Sequence, residues 1–339
     1  MARVSRKAID DVRETTAEVL GFGPHDIIFT SGGTEADNLA VAGTVGEGIA
    51  VCGATEHHAV LNSVEYVGGR FVRVDRRGLL DLDHLTDVLD ESVTVVSVML
   101  VNNESGVVND LEAIASVVRH HAPAACLHTD AVQALTWLDV AEAAQWVDAL
   151  SLSGHKFGAP KGVGLLAVRP SVGLSPTLLG GGQEADRRSG THNTPGIVAM
   201  GEALSCAVGE RGDLGPRLRL LRDRLADGIA VAGGVHETTS REDRTAGMLQ
   251  VVVDGVASEA LLVLLEQGGV MASAAASCAS GALDPSHVLA AMGFDRVAAA
   301  GSLRLSLGWC TTADEIDLAI EVIPPAIAQL REQPRSAGS

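Results

Sequence analysis

The chain has 339 residues, 46% of them hydrophobic, with a mean hydropathy of +0.23 and a formal net charge of −18. That length is more than one small core organises and predicts two domains, while the apolar share excludes disorder for most of the sequence. So acidic a surface is repelled by phosphate backbones and anionic bilayers at long range, which argues against a nucleic-acid groove or a membrane face as the main partner and leaves room for a local basic patch.

In chain order, a charged helical start is followed by apolar runs at 26–30, 48–52, 70–74, 93–101, 125–129 and 149–153 that read as strands. Between them, 35–45, 58–67, 82–89 and 111–121 carry helical spacing. The alternation predicts an α/β fold, a mostly parallel sheet flanked by helices on both faces. A charged helical stretch over 217–227, a strand at 248–253 and a helix at 258–267 predict a smaller C-terminal α/β domain. The expected division is 1–201 for the large domain, 202–332 for the small one and 333–339 for a frayed tail. No apolar run is long enough to span a bilayer, the start has no apolar signal core, and five cysteines without metal-ligand spacing fit a reducing compartment. Cytoplasm is the expected location, with no metal.

Ligands of open α/β sheets bind at the carboxyl ends of strands, and the unusual residues of the first half fall there. The first strand runs into Ser31-Gly32-Gly33-Thr34-Glu35, where small residues let backbone approach an anion and Thr34 is placed to cap a helix. Alone, it reads as an ordinary helix start. The second strand ends at Glu56-His57-His58, a pair with no third metal ligand at suitable spacing. Asn102-Asn103-Glu104 follows the fourth, as a plain turn also would. Asp130, with Gln133 one turn on, ends the fifth; an acid there is either a helix cap or the partner of a protonated pyridine nitrogen. Lys156, in Ser153-Gly154-His155-Lys156-Phe157-Gly158, ends the sixth, where a partly desolvated amine becomes nucleophilic; by itself it reads equally as a surface loop lysine.

Taken together, Phe29-Thr30-Ser31-Gly32-Gly33-Thr34-Glu35-Ala36-Asp37-Asn38, Ala54-Thr55-Glu56-His57, Val101-Asn102-Asn103-Glu104, Asp130-Ala131-Val132-Gln133, Ser153-Gly154-His155-Lys156 and Arg188-Ser189-Gly190-Thr191 resemble the cysteine desulfurases, pyridoxal-phosphate-dependent enzymes of fold-type I and the class V aminotransferase superfamily. The resemblance runs from about residue 5 to about residue 328. It implies that Lys156 carries pyridoxal 5'-phosphate as a Schiff base, that Asp130 pairs with the pyridine nitrogen, and that Gln133 and Asn103 lie near the ring hydroxyl and the substrate. His57 would stack on the ring and move protons. Gly33, Thr34, Ser153 and His155 would hold the phosphate, and Thr191 would reach the phosphate of a neighbouring subunit, making a homodimer.

Cys278 lies in an Ala/Ser/Gly-rich run, Ala274-Ala275-Ala276-Ser277-Cys278-Ala279-Ser280-Gly281, that has little side chain to pack, and with Leu283-Asp284-Pro285-Ser286 it resembles the long-loop group of desulfurases. The resemblance implies that its thiol takes sulfur from L-cysteine as a persulfide, releases L-alanine and passes the sulfur to an acceptor protein, a scaffold or thiotransferase. Cys52, Cys126 and Cys206, with apolar neighbours, read as structural. Arg304, within Ser302-Leu303-Arg304-Leu305-Ser306, resembles the arginine that grips the substrate carboxylate. Two departures are expected to matter. The chain opens after the family's leading segment, as a truncation or a shortened variant that keeps cofactor but turns over slowly, and Ala185-Asp186 stands where arginine-glycine is usual. A selenocysteine lyase would share the fold and the lysine; an aminotransferase of the class would have no need for Cys278; a fold kept only as a scaffold would need none of these side chains.

Overall fold

The computed structural model describes residues 2–274 and 286–332, so Cys278 lies outside the described residues. The chain forms two compact units, one of residues 2–73, 80–102 and 109–212, the other of 74–79, 103–108 and the described residues from 213 onward. The expected boundary at residue 201 is thus displaced to Gly212, inside a helix. Two short early segments also join the second unit. Their membership rests on partners far along the chain, which local periodicity does not carry.

The first unit holds β1 (Ile27–Thr30), β2 (Ile49–Gly53), β3 (Arg70–Val72), β4 (Val93–Ser97), β5 (Cys126–Asp130), β6 (Ala149–Ser153) and β7 (Gly164–Val168), in the order β1-β7-β6-β5-β4-β2-β3. β3, β2, β4, β5 and β6 pair in parallel, as expected, and β7 lies antiparallel between β6 and β1. β7 was not among the predicted strands. Gly164 fits it into that slot: a Cβ there would come within 2.6 Å of Leu152 O and 2.7 Å of the Gly32 backbone. β1, β5, β6 and β7 are buried along their whole length, as strands of a sheet covered on both faces are.

The helices of this unit are α1 (Ala2–Leu20), α2 (Gly33–Val45), α3 (His58–Tyr66), α4 (Leu82–Val88), α5 (Leu111–His121), α6 (Val140–Ala144) and the first part of α7 (Thr194–Ala230). Asp81, Asp110 and Asp139 cap α4, α5 and α6, each carboxylate accepting a first-turn N–H, at about 1 kcal/mol apiece. α2 packs Ala36, Leu39, Ala40 and Val41 with Ile28, Val95, Ala149 and Leu166 of the sheet. Since β1 and β6 are both antiparallel to β7, they run the same way as β5, β4 and β2. The carboxyl ends at Thr30, Gly53, Ser97, Asp130 and Ser153 therefore share one edge, the ligand edge of such sheets.

The second unit has an antiparallel sheet, β10 (Ser302–Ser306), β9 (Met248–Val253) and β8 (Val235–Glu237), with the rest of α7 and α8 (Ser258–Gln267), α9 (His287–Ala291), α10 (Arg296–Ala299) and α11 (Ala313–Glu332). Val252, Val288, Leu289, Met292 and Ala299 form one core cluster. Arg222 is fully buried there, satisfied by the Asp223 carboxylate and the carbonyls of Thr245 and Arg241.

Candidate active site

Lys156 closes a short 3-10 turn, Gly154–Lys156, straight after β6. The turn is pinned by its backbone: Gly154 N–H donates to Val163 O, and Phe157 and Ala159 both donate to Gly154 O. Gly154 is itself tight, with a Cβ there 3.0 Å from the Ala159 Cβ. The amine therefore stands exposed on a fixed base. Before it, the Ser153 hydroxyl lies 3.0 Å from His155 Nδ1. Burial, then Lys156 and Lys161, lower the His155 pKa, which favours the neutral ring at physiological pH.

The glycine loop faces the same strand. α2 starts at Gly33, one residue before the expected cap, so Thr34 sits in the first turn and Gly32 occupies the cap position with no side chain on the helix N–H groups. The physical reason is at Thr30, whose hydroxyl donates to Gly32 O and turns the chain earlier. A Cβ on Gly33 would lie 2.8 Å from Val132 and 3.3 Å from Ser153, so the loop between β1 and α2 closes onto Ser153 and the β5 end only with glycine. An uncapped helix start, a glycine cradle, a hydroxyl and a neutral imidazole form a donor set for a phosphate.

Asp130 is buried at the end of β5, one oxygen accepting Val132 N–H at 2.8 Å. Burial pushes its carboxyl up to about 6, against the pull of that N–H and of Lys156. The site thus holds a desolvated acid that gains from a cation brought to it. His57 caps α3, its Nδ1 accepting Ala59 N–H at 3.1 Å, which places the ring proton on Nε2. Asn38 donates to Thr34 O and Ala59 O, tying the glycine loop to this cap. Gln133 is half-buried beyond Asp130.

The loop carrying Thr191 is organised by residues to which no role was assigned from sequence. Glu184 is buried and gathers Arg13 Nη1 at 2.9 Å and His192 Nε2 at 2.7 Å, while Arg188 makes a two-bond contact to Glu35 at 2.6 and 3.1 Å. Burial would raise the Glu35 carboxyl, but the bonds from Arg188 and Ser31 prevail and lower it. Thr191 itself is exposed. Sequence held a signal for this cluster: an acid followed by two arginines and a histidine within ten residues of a Gly-rich turn. Glu184, Ala185 and Asp186 all have positive φ, of 49°, 55° and 64°, which is where the missing glycine shows. Asp186→Gly should therefore stabilise the fold by about 0.5–1 kcal/mol, because Asp186 is exposed and L side chains are strained at that φ. An unchanged urea midpoint would contradict it.

In the second unit, Arg304 lies mid-strand on β10, half-buried, with Nη1 donating to Asn103 O at 3.0 Å and Nε buried without a partner. A buried guanidinium N–H left open is costly and fits an anion yet to bind. Asn103 presents a half-buried side chain whose Oδ1 has no partner, whereas Asn102 is turned inward to Thr55 O. Ser273 pairs with Arg304 through two backbone bonds, and Ser286, the cap of α9, donates to Glu104 beside Asn103. Thus Lys156, Asp130, His57, Gln133, Gly33, Thr34, Ser153, His155 and Thr191 belong to the first unit, and Asn103 and Arg304 to the second.

The aminotransferase class-V family model matches residues 1–318. A cysteine desulfurase IscS of Methanosarcina thermophila is 36% identical over 98% of this chain and 84% of its own length, and a cysteine desulfurase of Cereibacter sphaeroides is 40% identical over 97% and 87%. Among solved structures, a NifS-like protein superposes with a TM-score of 0.90 at 33% identity, covering 97% of this chain and 90% of that one. SspA in complex with cysteine gives 0.77 at 28%, covering 90% and 88%.

Proposed function

We infer the activity from this kinship and from the site: the chain belongs to the class V aminotransferase family and, within it, to the cysteine desulfurases. It converts L-cysteine to L-alanine and takes the sulfur onto a cysteine of its own. Pyridoxal 5'-phosphate fits the residues present: the uncapped start of α2 with Gly33, Thr34, Ser153 and His155 for the phosphate, the buried Asp130 for the ring nitrogen, Gln133 beside it, Lys156 for the aldehyde carbon. When bound, the cofactor supplies the electron sink that makes the substrate's Cα proton removable and its Cβ–S bond breakable.

The chain's own groups do the rest. Arg304 offers its open Nε–H to the substrate carboxylate, with the half-buried Asn103 next to it. Lys156, on its fixed turn, accepts and returns the Cα proton. His57, with Nδ1 occupied by Ala59 N–H, exchanges protons through Nε2. The Cys278 sulfur bonds to the substrate sulfur as the Cβ–S bond breaks; Cβ takes a proton, so cysteine plus thiol gives alanine plus persulfide, with atoms and electrons balanced. What favours a desulfurase over an aminotransferase is Cys278 itself, in its Ala/Ser/Gly-rich run, which an aminotransferase of the class would not need.

Incubation with pyridoxal phosphate and L-cysteine should yield alanine and a protein-bound persulfide in step. Cys278→Ser should keep the cofactor spectrum and lose the persulfide, while Cys310→Ser, at an exposed thiol, should turn over as the parent does. Equal loss from both would overturn the thiol assignment. A homodimer that passes sulfur to an acceptor protein in the cytoplasm completes the proposal, supported by Thr191, exposed on a loop braced through Glu184 and Arg188, and by four described cysteines that are all free thiols.

A further inference from the structure

Beneath Asp130 runs a buried polar chain with no part in the chemistry above. Cys126, His128 and Asp130 alternate onto one face of β5, and Cys126 packs there with residues of α2. His128 is fully buried, its Nδ1 2.8 Å from the Ser97 hydroxyl on β4 and its Nε2 2.8 Å from the Ser151 hydroxyl on β6. Asp37 of α2 completes the chain: it interacts with Ser151, its Oδ1 is 3.9 Å from His128 Nε2 and has no hydrogen-bond partner, and it is 1% exposed. No lysine or arginine pairs with Asp37 among the described residues, and burial holds His128 neutral, its pKa pushed down to about 3.

Three carboxyls, Asp37, Glu56 and Asp130, share this interior and repel one another electrostatically. Asp130 gains from a nearby cation, Lys156, whereas no lysine or arginine pairs with Asp37 among the described residues. Buried like charges do not ionise together, so the group with the cation takes the charge. We propose that Asp37 is a positioning residue that stays protonated, donates to Ser151 and leaves the negative charge to Asp130; the proposal rests on the reading that Asp130 meets the cofactor's ring nitrogen. Burial first, then Asp130, drive the Asp37 pKa well up against the pull of the Ser151 hydroxyl, in keeping with this.

The chain has a direction, and the direction is measurable. A protonated Asp37 donates to Ser151, Ser151 donates to His128 Nε2, and His128 keeps its proton on Nδ1, facing Ser97. An ionised Asp37 reverses every bond: Ser97 donates to Nδ1, and the proton sits on Nε2. The His128 tautomer therefore reports the charge on Asp37, a readout that a merely space-filling aspartate would not set.

Nitrogen-15 NMR of histidine-labelled protein prepared without cofactor, at neutral pH and with His128 assigned by the signal lost in His128→Gln, should show the Nδ1–H form. The Nε2–H form would overturn the proposal, whatever the variants do. Asp37→Asn, neutral and of the same shape, should bind pyridoxal phosphate within about threefold of the parent, and a loss of more than about tenfold would also overturn it. Asp130→Asn separates the two readings: unchanged affinity there would remove Asp130 from the cofactor site while leaving the tautomer result standing.

Discussion

Replacing Lys156 with alanine should lower alanine release by at least about 10²–10⁴-fold, the span that loss of one positioned proton-transfer group commands. The effect is expected to be this large because the turn offers no substitute. Gly154 is fixed by three backbone bonds at Val163, Phe157 and Ala159, and His155 is engaged with Ser153, so neither is able to carry an amine or a proton to the same place. Lys161 lies five residues on, beyond Pro160, and is the natural control: Lys161→Ala should keep turnover within a few-fold, since it acts on the site through its charge on His155. With cofactor added, borohydride reduction should label the peptide that contains Lys156. A label on Lys161 would mean that the site has been built around the wrong amine. The variant should still fold, because an exposed lysine on a backbone-anchored turn contributes little packing.

How much of this was legible beforehand follows from which forces are local. The strands of the first unit other than β7, and helices α2 to α5, show in sequence because short apolar-rich runs alternate with stretches of helical spacing. β7 has an equally apolar sequence, but its insertion between β1 and β6 depends on a glycine at a backbone contact more than a hundred residues away, with Gly32. β10 was legible only through the resemblance around Arg304, and the open Nε that makes Arg304 chemically interesting is a fact of three-dimensional burial. The same holds for Thr34, expected as a cap and found inside the first turn because of the Thr30 hydroxyl. His128 and Asp37 were passed over although both stand in quoted or apolar stretches; a histidine in the middle of a buried strand was the signal, since an imidazole there must find two partners.

Asp130→Asn should move stability and function in opposite directions. In the folded protein without cofactor, burial raises the Asp130 carboxyl from 3.8 to about 6, so the folded state holds its proton more tightly than the unfolded chain does. A raised acid stabilises the fold fully below pH 3.8, and that contribution is lost as pH rises through about 6; at neutral pH, keeping Asp130 ionised costs on the order of 3 kcal/mol. Asparagine keeps the shape and accepts the Val132 N–H without the charge. The cofactor-free variant should therefore resist urea better than the parent at pH 7.5 and lose this advantage as pH falls towards 4. Its turnover should drop by about 10²-fold or more, because the anion proposed to face the cofactor's ring nitrogen is gone. A variant less stable than the parent at neutral pH would show that Asp130 is held by favourable contacts and is not a strained acid awaiting a cation; a variant that turns over normally would sever Asp130 from the reaction.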